Sequence, residues 1–303
     1  GANHLIHYDI LGLTYWMLAR VEEIDRIDLD KYDRFPACSS HAYKNNYLDR
    51  PVVDEWLNVL GQVIQRQWPR INLINHNFQM QVSHDVDSPS RYAFASFDRI
   101  IRRMSGDILR GDFSSALSAP WVKIKNRNKI SSLDPFNTFD WIMDQSEQHG
   151  LKSTFYFICG KSSSMEGEYN IEHPVIKNLI KRINSRGHQI GLHPSFNTFK
   201  RPDLLKYEAD TLKRICIEQQ VKQAKWGCRM NYLRWKHPIT MEACDKAGLN
   251  YDSTLGYADQ AGFRCGTCFE YTGFDPVKSE EFSIRIRPLI SMEATIIDPR
   301  YMA

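Results

Sequence analysis

Two carboxylates separated by a single valine, Asp85 and Asp87, close the run FQMQVSHDVD at residues 78–87. Side chains alternate along an extended strand, so both would leave the same face and share one small volume. Like charges that close are costly unless a cation or a shared proton compensates them, which makes a metal ion a natural resident. The plainer alternative is a loop whose carboxylates cap the turn before Pro89. A second run, HQIGLH at 188–193, follows Gly187, carries Gly191 and ends in His193. Glycine there would let backbone approach a site closely. A histidine at a strand end is by itself more often a satisfied structural residue. Two carboxylates and an imidazole at the ends of neighbouring strands, however, are a donor set that Zn²⁺ or a similar divalent ion takes from a protein. A third run, AKWGCR at 224–229, ends in Arg229 and leads into Asn231-Tyr232.

These groups need a scaffold that brings strand ends together. From Phe78 onward short apolar runs at 78–87, 152–158, 188–193, 224–229, 250–256 and 282–289 alternate with helix candidates at 136–148, 174–186, 202–220 and 238–247. That alternation predicts an α/β fold of parallel strands covered by helices, either an open sheet or a barrel. In both, working residues collect beyond the carboxyl ends of strands. Ahead of it, an apolar helix candidate at 9–23 and a second beginning at Pro51 and running to Gln67 read as a helical extension over residues 1–76, packed on a domain at 77–303.

Composition excludes several function classes. The net charge is only +3, with Lys and Arg interspersed among Asp and Glu, so neither nucleic acid nor a membrane surface is expected as partner. The one basic stretch, WVKIKNRNK at 121–129, reads as a solvated face. No apolar run approaches the roughly 18 residues of a membrane span, and the start GANHLIHYD lacks a signal-like pattern. Seven scattered cysteines, an odd number, suggest reduced thiols and a cytoplasmic setting. Cys265-Gly266-Thr267-Cys268 is a lone CxxC, without the second pair a zinc site would need.

The motifs resemble the polysaccharide deacetylases of carbohydrate esterase family 4, whose catalytic unit is the NodB homology domain. Asp-Val-Asp at 85–87 and GHQIGLH at 187–193 carry the resemblance, with STFYFI, YDSTLGYADQAGFRCGTCFEY and DRPVVDEW adding likeness to a bacterial branch tied to surface-polysaccharide biosynthesis. It implies a distorted parallel (β/α) barrel of the NodB type and a metal-dependent hydrolase that removes N-acetyl or similar acyl groups from an amino sugar, with a carbohydrate as partner. It further implies Asp85 as base, Asp87 and His193 as ligands of a divalent metal, Zn²⁺ foremost, and Arg229 beside the base. The family's second metal histidine falls on Asn197, and its late acidic histidine has no match; Glu293 is the only ionisable residue in LISMEATII. Those two departures leave a second expectation open, a degenerate domain that binds glycan or protein without turnover. Tyr232 and Arg264 are expected at the substrate mouth, and Tyr92, Phe196, Trp235 and Tyr257 are candidates for stacking on sugar rings.

Overall fold

All five residues of β2 (Ser153–Phe157) are buried, the pattern of a strand covered on both faces. In the computed structural model, which describes residues 5–74, 76–125 and 129–297, β2 lies between β1 (Val82–Val86) and β3 (Gln189–Leu192), parallel to both. The register pairs Asp85 with Tyr156 and Phe157 with Leu192, so the three strands end at the same level. The described residues form a mixed α/β structure in which the strands are mostly parallel. The chain divides into two compact units, one of residues 80–198 and 203–226, the other of residues 1–79, 199–202 and 227–303.

In the 80–226 unit, β1 to β3 are the sheet strands. In the other unit α1 (Ile10–Leu18), α2 (His41–Lys44) and α3 (Val52–Gln67) come first. The first of these ends earlier than its apolar run suggests, because Arg20 adopts a left-handed conformation and Val21–Glu23 tighten into a 3₁₀ turn. Met17, Val52 and Val53 form a small core with Trp16, Leu18, Tyr47 and Trp56. The extension is tied to the rest of its unit: Val53 N donates to Gly266 O (2.8 Å) and Cys268 N to Asp54 Oδ2 (3.0 Å).

The 80–226 unit adds α4 (Phe97–Leu109), α5 (Phe113–Lys125), α6 (Phe139–Gln148), α7 (Pro174–Ser185) and α8 (Pro202–Glu218). The helical hairpin α4–α5 has no counterpart in the sequence expectation. Helix α7 starts on Pro174, behind a His173 cap whose side chain accepts from Val175 N, and buries Val175, Ile176, Leu179, Ile180 and Ile183. It stops at Gly187, whose positive φ of 86° only glycine adopts cheaply. His188 N then bonds back to Ile183 O (3.3 Å) and Gly187 N to Asn184 O (2.9 Å), the paired closure that satisfies the last helical carbonyls and turns the chain into β3. Helix α6 closes on Gly150 in the same way and feeds β2.

In the other unit β4 (Gly227–Cys228) pairs parallel with β5 (Tyr251–Asp252), which pairs parallel with β7 (Glu280–Ile286). Between β4 and β5 runs α9 (Ile239–Lys246). A hairpin of β6 (Tyr271–Asp275) and β7 follows, antiparallel and unforeseen from the sequence, and α10 (Glu293–Ile297) ends the described chain.

Candidate functional site

Val86, the last residue of β1, is buried while Asp85 and Asp87 on either side of it are exposed. The end of β1 is fixed from behind by Tyr169, whose hydroxyl donates to Val86 O (2.9 Å) and accepts from Ile158 N (2.7 Å). Burial pushes this phenol well above its usual pKa, so it stays a donor. Gly167 lies against the same backbone; a Cβ there would sit 1.8 Å from Asp87 O, so any side chain would displace the loop.

His193 follows β3 directly, its N–H donating to Phe157 O (2.8 Å), and its side chain is buried. Its Nε2 lies 3.4 Å from Asp87 Oδ1, although Asp87 itself is 62% exposed. Partial desolvation pushes the Asp87 carboxyl up, but hydrogen bonding to His193 and its charge outweigh this and hold it below the usual carboxylate range. Two ligand atoms each about 2.0–2.1 Å from one Zn²⁺ at the tetrahedral angle stand about 3.3–3.4 Å apart. The Asp87–His193 pair has that separation and combines one carboxylate with one imidazole, so the donor chemistry fits. The other histidine of the motif, His188, is structural. It is buried at the opposite end of β3, where Nδ1 accepts from Ser153 N (3.0 Å), which leaves the proton on Nε2, facing Glu147 (3.2 Å).

Two carboxylates that sequence reasoning passed over lie behind His193. Glu208, on α8, is fully buried; Oε2 accepts from Ser195 N (2.9 Å) and Oε1 from the Ser195 hydroxyl. Burial pushes its pKa up to about 7, against the hydrogen bonds from Ser195 that pull it down; Glu166 adds to the rise and His193 opposes it. Gly160 gives this carboxylate room, since a Cβ there would stand 2.0 Å from Glu208 Oε1. The signal was present: Glu208 occupies a buried position between Leu205 and Leu212 on an otherwise apolar helix face. Glu166, also buried, accepts from Ser162 Oγ (2.9 Å), Ser163 N (2.6 Å) and Phe196 N (2.6 Å).

Asn197 belongs to this second network. Its backbone N–H donates to Ser162 Oγ (2.8 Å) and its side-chain amide nitrogen to Ser162 O (2.9 Å). The amide is thereby oriented, and only Oδ1 could serve as a ligand atom. A cavity of about 380 Å³ opens beside it, lined by Arg99, Lys161, Ser162, Ser163, Ser164 and Glu166.

The remaining expected residues lie in the other unit. Arg229 is buried and donates through Nε to Ser253 O (3.0 Å) and through Nη2 to Ser253 Oγ (3.1 Å). Tyr232 is half-buried, with a positive φ of 59°, and its ring lies 5.1 Å from that of Tyr32. Arg264, expected at a substrate mouth, is buried instead. Its guanidinium donates to both oxygens of Glu23 (2.9 and 2.7 Å) and to Gly256 O (2.8 Å), anchoring the N-terminal segment. Glu293 is exposed at the start of α10. Among the aromatic candidates, Tyr92, Trp235 and Tyr257 are buried core residues, which leaves Phe196 and Tyr232 with partly exposed rings.

Among the described residues, one group of three His, Cys, Asp or Glu side chains places its ligand atoms within 4.8 Å of one another: Cys228, Cys244 and Asp252, all buried. It joins β4, β5 and α9, positions too far apart in sequence to form a motif. Burial pushes Cys228 far up and Asp252 up to about 6. As a neutral thiol, Cys228 donates to Asp252 Oδ2 (3.3 Å), with Cys244 Sγ 3.6 Å away, while Thr254 satisfies the carboxylate from its N–H (2.8 Å) and hydroxyl (2.6 Å). Cys265 is buried and Cys268 exposed, and neither belongs to such a group.

Residues 1–69 match a family of unknown function (DUF7033). No curated protein matches the chain. Among solved structures, one described as a "putative polysaccharide deacetylase" from Mycobacterium smegmatis is similar over 69% of this chain, at 18% identity and a TM-score of 0.35. The chain spans 57% of the length of that protein. Among the described residues no helix is long and apolar enough to cross a membrane.

Proposed function

We propose that the chain is a metal-dependent deacetylase of the NodB type, built on the distorted barrel of that family and hydrolysing the N-acetyl group of an amino sugar in surface-polysaccharide biosynthesis. The observation that carries this reading is the 3.4 Å approach of Asp87 Oδ1 and His193 Nε2, from the ends of two strands of one sheet. Asp87 and His193 would hold the ion, with Asn197 Oδ1 as the third protein ligand. Such an ion, when bound, supplies Lewis acidity toward the acetamide carbonyl and a water acidic enough to ionise near neutral pH. Asp85, exposed near the end of β1 two residues before Asp87, would take the proton from the attacking water at a carboxylate oxygen. Tyr169 and the close packing of Gly167 keep the end of β1 in place while it does so. Seven free thiols support a reducing, cytoplasmic setting.

Asn197 favours one competing reading, a domain that binds glycan without turnover, because an amide oxygen is a weaker partner for Zn²⁺ than imidazole. Elemental analysis of the purified protein, paired with acetate release from N-acetylated sugars, separates the two. The deacetylase reading expects one divalent ion per chain, lost in H193A, and an Asp85→Asn variant that keeps the ion and loses turnover. Metal-free protein, or unchanged acetate release from D85N, would end it.

A further inference from the structure

Helices α4 and α5 form a hairpin with its own small core, in which Tyr92, Ala95, Ile100, Ala119 and Val122 pack together. Lys123 caps this arrangement by donating to Ala93 O (3.0 Å) and Ala95 O (2.7 Å), and Tyr92 OH donates to Asp107 (2.5 Å). Yet the outward face of α5 is also apolar: Phe113, Leu117, Trp121 and Ile124 recur at helical spacing and are 60–75% exposed. Helix α4 adds Phe97, Ile101 and Leu109, more than 60% exposed. A helix face left in water normally carries polar residues, and an apolar tract of this extent marks a docking surface.

Charge identifies what docks there. Residues 97–125 hold six Lys and Arg against three Asp, a net of +3, which equals the net charge of the whole chain. The rest of the protein therefore carries no net charge, and the excess of positive charge falls on this hairpin. Arg91, Arg99, Arg102, Arg103 and Arg110 line one cavity of about 470 Å³, within which Asp107 neutralises Arg91 and Arg110 and Glu168 neutralises Arg99 and Arg103 only in part. A nucleic acid would gain nothing from the apolar stripe. An anionic lipid surface satisfies both features, accepting the apolar side chains at the acyl boundary and the guanidinium groups among its headgroups.

We infer that the α4–α5 hairpin docks the protein on an anionic membrane surface, without crossing it. The inference does not rest on the deacetylase reading, since it concerns binding alone. The test is flotation with vesicles of phosphatidylcholine containing phosphatidylglycerol, compared with phosphatidylcholine alone, at low and high salt, alongside sedimentation of the free protein. Wild-type protein is expected to float with the anionic vesicles and to be released by salt. A Leu117→Ser/Trp121→Ser double variant should partition about tenfold or more weakly, given the apolar area removed, and R102Q/R110Q should lose the preference for anionic lipid. Circular dichroism checks the fold, and the single exposed-site variant I124S serves if the double variant misfolds. Failure to float with either vesicle, equal binding to both, or binding indifferent to the apolar substitutions would overturn the inference. So would a dimer that L117S/W121S converts to monomer, which would make the face an interface between copies.

Discussion

Glu208 offers a quantitative check on the environment behind His193. Its carboxyl ionises near 4.5 in an unfolded chain but only at about 7 in the fold, where it is fully buried. The neutral form is therefore the one the structure favours. Its contribution is complete below pH 4.5 and is lost as pH rises through 7, because the unfolded state then releases its proton more readily. A shift of about 2.5 units at 1.36 kcal/mol each corresponds to roughly 3 kcal/mol across that window, of which about 2–3 kcal/mol falls between pH 5 and 8. Glu208→Gln keeps the shape and cannot ionise. Urea denaturation of both proteins at pH 5, 6, 7 and 8 should show the wild type losing that amount relative to the variant as pH rises. Titrating groups remote from Glu208, such as Asp252, contribute equally to both curves and cancel in the difference. Two curves that run parallel from pH 5 to 8 would refute the raised pKa assigned to this carboxyl.

Three further outcomes follow from the packing. Tyr169→Phe strands Val86 O and Ile158 N and should lower stability by about 1–3 kcal/mol, read from chemical denaturation, with faster amide exchange at Ile158. Arg264→Met leaves Glu23 buried with Arg20 as its remaining partner; a loss of about 3 kcal/mol is expected, the low end for breaking a buried ion pair, and a change below about 1 kcal/mol would contradict the anchoring role. Gly187→Ala meets no atom within 4 Å, so its cost is the left-handed backbone alone, about 1 kcal/mol, visible as a modest fall in melting temperature.

Local periodicity made much of this protein legible in its amino-acid sequence. The period of two accords with the burial of Val86 between the exposed Asp85 and Asp87. The helix starts at Pro174 and Pro202 and the stop at Gly187 follow from proline's fixed φ and glycine's tolerance of positive φ, which operate within a few residues. The β6–β7 hairpin was only half visible, since β6 is short and mixes polar with apolar residues. Helix α5 was missed because its apolar residues lie on two faces, so no single amphipathic stripe stands out, whereas the stripe of α4 was present in the sequence.

What tertiary structure alone decided are the relations between distant residues. Asp87 and His193 stand 3.4 Å apart because β1 and β3 both run parallel to β2 and end level with it. Glu208 becomes an unusually weak acid only when α8 buries it beside Ser195, and Arg264 becomes an anchor only when Glu23 meets it. Cys228, Cys244 and Asp252 share a volume through the pairing of β4 with β5 and the packing of α9. A sequence encodes each side chain's chemistry and its local direction. Burial and neighbours, which set charge state and ligand geometry, arise from contacts between segments that no local pattern specifies.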